Sequence, residues 1–249
     1  MSRDLTYFVS DLHLGASYIP NNREHELLVV SWLKEISPNC RELYLVGDIL
    51  DYWFEYRNVV PRGFTRFFGQ LASMADEGIK ITWLIGNHDI WIFDYLPAEL
   101  GIEVVDGAIL RSIDGKNFYI THGDAIGSLK PGFRFIRSFF RNPICQKLYS
   151  GIHPRWTIPF AHAWSSSSRK GYKQEYNSLL PDDKDPYLMW AKDYIAQHPY
   201  LDFIILGHRH IMADKIIGEH CHLIVLGDWI RNFSFAVYDG KDVILKKYH

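Results

Sequence analysis

Five short pieces of this sequence carry carboxylate, imidazole and amide side chains at tight spacing: Asp11-Leu-His13, Gly47-Asp48-Ile-Leu-Asp51, Gly86-Asn87-His88-Asp89, His122-Gly123-Asp124 and Gly207-His208-Arg209-His210. Oxygen and imidazole donors of this kind suit hard to borderline divalent ions, and the thiolates of a structural zinc site are missing from all five. Two ions held about 3.5–4 Å apart activate water for attack at phosphorus and need one short group to bridge them, for which Asp48 is the candidate. A single Asp or His at a strand end ordinarily caps a turn or satisfies a core hydrogen bond, so the argument rests on the ordered set. Asp51, Asp124 and Asp228 stand apart: each either supports a ligand from behind or closes a turn.

Each piece follows a short run of strand-forming residues: Leu5 to Val9, Leu43 to Val46, Ile79 to Ile85, Phe118 to Thr121 and Phe203 to Leu206. The runs are β-branched or aromatic and close on Gly, Asp or His, the pattern of strands buried on both faces. Between the early runs lie helix-like stretches. One spans Glu24 to Ile36, with Leu27, Val30, Leu33 and Ile36 expected on one face, and the other spans Phe64 to Ala75. Strand, helix, strand repetition predicts parallel strands joined by crossovers, whose carboxyl ends share a side and bring the ligands together.

At 249 residues the chain can bury one large α/β core, and no Gly/Ser/Pro tract divides it, so a single domain over 1–249 is expected. Three cysteines, widely spaced and without a CxxC, fit a reducing compartment rather than a disulfide scaffold. The start, Met-Ser-Arg-Asp, runs directly into the first strand without a signal-peptide pattern, and no apolar run approaches the roughly 18 residues that span a bilayer. A cytoplasmic location is expected on these grounds.

The ordered motifs resemble those of the calcineurin-like metallophosphoesterase family, D-x-H, G-D-x-x-[DE], G-N-H-[DE], a later H and G-H-x-H, with every piece present. The resemblance implies a four-layer αββα sandwich with a helical lid insertion. It also implies one metal on Asp11, His13, Asp48 and His210, and a second on Asp48, Asn87, His122 and His208. The ions would be Mn²⁺ first, with Fe²⁺ or Zn²⁺ as alternatives. In the family the histidine of G-N-H-D faces the substrate phosphate, which makes His88 the expected transition-state stabiliser or acid, with Asp89 orienting its ring.

About 80 residues separate His122-Gly-Asp124 from Gly207-His208, too many for a structureless loop, so a helical cap is expected at about 126–200. From Lys130 to Lys173 there are nine Lys or Arg and no Asp or Glu, in a chain of net charge −2, which leaves −11 for the rest. Large apolar residues alternate with these charges, and on a helix Phe135, Ile136, Phe139 and Phe140 would gather on one side. Such a stripe serves either to pack the cap on the core or to meet acyl chains and a membrane surface.

Within the family this arrangement is similar to the branch that hydrolyses the pyrophosphate bond of a UDP-linked diacylated glucosamine in lipid A synthesis. That likeness implies an apolar cap cleft, peripheral association with the inner membrane, and substrate contacts from Asn87, His88, Lys130, Arg137, Ser168, Arg169 and Lys173. Proteobacterial members of the branch carry Arg where His88 stands. Three other readings share the ligand set or the fold. A soluble phosphatase or phosphodiesterase for nucleotides or phosphoproteins would have no use for an acid-free aromatic lid. A DNA nuclease sits poorly with a pI near 6.6, and no nucleic-acid partner is expected. A non-catalytic interaction module would be expected to have lost ligands.

Overall fold

The computed structural model describes residues 3–127, 131–161, 180–181 and 184–249. Strand β1 (Leu5–Val9) opens the fold, followed by α1 (Asn22–Ile36), β2 (Cys40–Val46), α2 (Thr65–Asp76), β3 (Lys80–Leu84), α3 (Tyr95–Leu100) and β4 (Glu103–Val105). These four strands are parallel neighbours in a six-stranded sheet. Its other edge is the antiparallel pair β10 (Ser234–Tyr238) and β11 (Val243–Lys247).

The second sheet has five strands. They are β5 (Ile109–Ile113), β6 (Lys116–Thr121), β7 (Phe203–Leu206), β8 (Met212–Ile217) and β9 (Cys221–Leu226), with β6, β7 and β9 parallel.

Alternation along the strands explains why the sheets stack. Phe8, Tyr44, Val46, Leu84, Phe118, Ile120, Ile205 and Ile224 fill the space between them. Phe8 stacks on Tyr44 and on Phe118 at 5.1 and 5.8 Å between centroids. The alternate residues Tyr7, Val9, Leu43, Leu45 and Trp83 turn outward against α1 and α2. On the far side Ile204, Leu206, Leu223 and Val225 meet α7 (Pro186–Gln197) through Tyr187, Leu188 and Ala191. The result is the expected helix, sheet, sheet, helix layering, and strands covered on both faces read as unbroken apolar runs for this reason.

Helix α1 begins where Asn21 accepts from the Glu24 amide. Its buried apolar face is Val29, Val30, Trp32, Leu33 and Ile36, whereas Leu27, expected on that face, is exposed. The fully buried Trp32 and Val29 face the core instead. Two helices borrow their caps from distant carboxylates. Glu26 accepts from Arg66 N and Phe67 N at the start of α2, and Glu55 from Phe93, Asp94 and Tyr95 N at the start of α3.

The insertion contains α4 (Pro131–Arg141), α5 (Pro143–Ser150) and α6 (154–161). Within its expected bounds of about 126–200 also lies α7, which packs on the second sheet. The apolar stripe expected on α4 splits. Phe140 turns in against Trp91, while Phe135 and Phe139 stack on each other and are exposed. Tyr149 of α5 stacks on Trp91 at 5.3 Å, Trp91 Nε1 donates to the Phe140 carbonyl, and the Tyr52 and Tyr149 hydroxyls meet at 3.2 Å. No helix among the described residues is long and apolar enough to cross a membrane.

Candidate metal centre

The five ligand-bearing loops follow β1, β2, β3, β6 and β7, three strands of one sheet and two of the other. They meet at the common carboxyl edge of the sandwich. Main-chain bonds knit them: Asp11 N donates to Gly47 O, His13 N to Asp48 O and Gly207 N to His122 O. Asp11, His13, Asp48, His208 and His210 all have left-handed backbone, with φ between 46° and 69°. Such conformations in non-glycine residues persist only where the surroundings over-determine them, and they cluster at functional sites. Two glycines are required by close approach: a Cβ on Gly86 would sit 2.2 Å from Asp48 Oδ1, and one on Gly207 would sit 2.8 Å from Asp11 Oδ2.

Asp11 uses Oδ2 to accept from His208 N at 2.8 Å. Its Oδ1 is buried without a hydrogen-bond partner and lies 3.3 Å from His210 Nε2 and 3.6 Å from His13 Nε2. The two imidazole Nε2 atoms face each other at 3.3 Å. Asp48 repeats the pattern: Oδ1 accepts from His88 N, and Oδ2 stands 3.4 Å from His122 Nε2, 3.8 Å from His13 Nε2 and 4.0 Å from His88 Nε2. Asp11, His13 and His210 thus form one group able to hold a cation, and Asp48, His122 and His208 a second. Asn87 Oδ1 lies 3.3 Å from His122 Nε2, beside the second group. An orphaned carboxylate oxygen aimed at converging imidazole nitrogens fits a divalent ion. Asp48 Oδ2, turned toward residues of both groups, fits a bridge.

The carboxylates suit this donor set, whereas burial lowers His122 but Asp48 outweighs it and raises that imidazole well above its ordinary value. Burial pushes the Asp11 and Asp48 carboxyls up, but their neighbouring imidazoles, His210 and His13 for Asp11 and His122 and His88 for Asp48, hold both well below the usual carboxylate range. Burial, with His122 beside it, depresses His208 to about 4, leaving a neutral imidazole. His122 Nδ1 is 2.9 Å from the Val46 carbonyl, which directs Nε2 inward.

The Asp89 carboxylate, expected to orient His88, is engaged by main-chain and indole donors. Its oxygens accept from Ile49 N, Trp83 Nε1 and Gly86 N, and burial, then Asp48, raises its carboxyl to about 6. The physical reason is loop closure: the carboxylate ties its own turn to β3 and to the Asp48 loop. The His88 ring instead meets Asp51, whose carbonyl is 3.1 Å and Oδ1 3.4 Å from Nδ1. The same Oδ1 is 3.4 Å from His13 Nδ1. Asp228 holds His210 at 3.6 Å with Oδ2, while Oδ1 accepts from Ile230, Arg231 and Asn232 N. Asp124 accepts from Arg137 Nε at 2.9 Å, which ties that expected substrate contact to the His122 loop. Burial raises the Asp124 carboxyl, but His122 and Arg137 bring it below its usual value. Lys130, Ser168, Arg169 and Lys173 lie outside the described residues.

The family model for calcineurin-like phosphoesterases matches residues 6–212. The chain belongs to that family. It is 40% identical over 255 residues to UDP-2,3-diacylglucosamine hydrolase of Porphyromonas gingivalis, covering 98% of this chain and 97% of the relative. It is 24% identical to the protein of that name from Nitrosococcus oceani, over 92% of this chain and 89% of the relative. Among solved structures, a dimetal phosphatase from Danio rerio aligns with TM-score 0.49 and 15% identity, covering 97% of this chain and 95% of that one.

Proposed function

We propose that this protein hydrolyses the pyrophosphate bond of UDP-2,3-diacylglucosamine, giving UMP and 2,3-diacylglucosamine 1-phosphate in lipid A biosynthesis. The observation that carries this reading is the 40% identity to a UDP-2,3-diacylglucosamine hydrolase across 98% of the chain. A phosphoester hydrolase of this family uses two divalent ions. Here Asp11, His13, Asp48 and His210 would hold one, Asp48, Asn87, His122 and His208 the other, with Mn²⁺ the first ion to supply. When bound, such a pair supplies Lewis acidity and an activated water at phosphorus.

The protein's own part is positioning and charge. The His88 side chain is 15% exposed against 1% for His13 and His122, so its ring is open to an arriving phosphate. Asp51 meets Nδ1 from behind, so that Nε2 is the nitrogen that would donate to a phosphoryl oxygen as negative charge builds. Because a departing sugar phosphate needs little protonation, His88 serves chiefly to neutralise charge.

The cap supplies apolar surface. Phe135, Ile144, Leu148 and Trp156 are each at least 70% exposed on three consecutive helices, far more than a core-packing stripe leaves open. That surface suits acyl chains, and with the exposed Lys147 and Arg155 along the same helices it suits the anionic inner-membrane face.

The test is hydrolysis of UDP-2,3-diacylglucosamine in detergent micelles by metal-reconstituted protein, beside bis(p-nitrophenyl) phosphate. Release of UMP far above the generic rate, abolished by Asp48→Ala and by chelation, is expected. Cleavage of the generic ester alone would keep the metal centre and refute the substrate.

A further inference from the structure

Arg209 sits between two residues of the metal cluster yet does not join it. His208 and His210 are both in the left-handed region, φ 69° and 54°, and the residue between them must hold that shape. Arg209 is buried, with Nη1 at 2.6 Å from both oxygens of Asp185 and its guanidinium carbon 5.1 Å from the Tyr187 ring centroid. Asp185 is also buried, and it caps α7 by accepting from Tyr187 N and Leu188 N. One carboxylate thus joins the start of a helix to the loop of the last two histidines.

Tyr187 makes the second join. Its hydroxyl lies 3.2 Å from the Gly207 carbonyl and 3.3 Å from the Gly123 carbonyl, the residues next to His208 and His122. It therefore offers its single proton to both loops at once. A Cβ on Gly123 would lie 2.5 Å from this oxygen, so the glycine after His122 makes room for the tyrosine. The opposite end of the insertion is tied to the same loop, since Arg137 of α4 donates to Asp124.

We infer that Tyr187, with Asp185 and Arg209, is a positioning clasp that sets how tightly the His122 and His208 side of the centre holds its ion, an inference that rests on the dinuclear reading above. Neither Tyr187 nor Arg209 touches the reacting atoms; they act through the carbonyls and backbone angles of the loops. Groups that orient ligands in this way typically change metal affinity by about 10- to 100-fold when removed.

The experiment is direct titration of the metal-free protein with Mn²⁺, and separately Zn²⁺, for the wild type, Tyr187→Phe and Arg209→Lys, together with the dependence of kcat and KM on Mn²⁺ concentration. Tyr187→Phe removes one oxygen and leaves the ring packing. It is expected to weaken one of two binding events by about tenfold or more, to leave the other in place, and to recover kcat at saturating Mn²⁺. Far-UV circular dichroism should match the wild type. Arg209→Lys keeps the charge but loses the planar guanidinium that lies over the Tyr187 ring, and should shift the same event in the same direction. Should Tyr187→Phe fail to fold, Arg209→Lys carries the comparison. Affinities equal to wild type overturn the clasp, as does a kcat that falls at saturating metal with affinity unchanged. A wild type that binds neither ion refutes the dinuclear reading itself, an outcome visible before any variant is compared.

Discussion

Replacing Asp51 by Asn tests how the site orients its imidazoles, because one carboxylate oxygen serves two rings. Oδ1 of Asp51 is 3.4 Å from Nδ1 of both His13 and His88. The substitution keeps the shape and the backbone carbonyl contact to His88, but removes the negative charge. A contact to a charged group contributes about 1.5–3 kcal/mol, and 1.36 kcal/mol is a factor of ten. Loss of charge assistance at one ring therefore lowers the rate about 10- to 150-fold by the same conversion. The assay is UMP release from the diacylated substrate over a range of Mn²⁺ concentrations. A deficit that saturating metal repairs acts through His13. One that persists in kcat acts through His88. Asp89→Asn is the control: its carboxylate holds Ile49, Trp83 and Gly86, so that variant should lose stability before it loses kcat in the folded fraction. An Asp51→Asn enzyme within about twofold of wild type at every metal concentration would refute the reasoning, since no charge-assisted contact of the expected size would then exist.

Other outcomes follow from the same geometry. His88→Ala should lower kcat about 100- to 1,000-fold, the effect typical of removing a donor aimed at developing charge, with Mn²⁺ affinity unchanged in direct titration. Leu148→Ser with Trp156→Ser should raise KM for the diacylated substrate and leave bis(p-nitrophenyl) phosphate cleavage unaltered; equal effects on both substrates would remove the cap from substrate recognition. Glu55→Ala should destabilise the fold by about 2–3 kcal/mol in urea unfolding, because three amides at the start of α3 lose their acceptor.

The sequence is most informative where chemistry and strand ends coincide. Phe203–Leu206 is read to the residue, and the ligand loops converge as expected, because apolar runs closed by Gly, Asp or His mark strand ends directly. Long-range facts are less legible. Nothing local tells that β6 and β7 belong to a different sheet from β1, β2 and β3. Asp89 adjoins His88 in the chain, which invites a pairing, yet neighbouring loop residues diverge and the ring is met by Asp51, thirty-seven positions earlier. Leu27 fails for a related reason: period alone leaves the rotation of α1 open by one residue, and the burial of Trp32 and Val29 decides it. The packing of α7 is equally hidden, since it reads as one more helix until its contacts with Ile204 and Leu223 are seen.

The docking of the cap would let one insertion set specificity without disturbing the metal ligands. Among the described residues its inner face rests on the stretches just beyond the ligand-bearing residues. Tyr52 follows Asp51 and bonds Tyr149, and Trp91, three residues after His88, stacks on Tyr149 and donates to Phe140. Aromatic pairs of this kind contribute about 0.5–1.5 kcal/mol each beyond their buried area, so several together hold α4 and α5 in register with the His88 loop. A substrate held on the exposed face of those helices would then be indexed against the His88 ring. Changing the outward residues would alter what is held, while the inward seam would keep the distance from cap to phosphorus fixed.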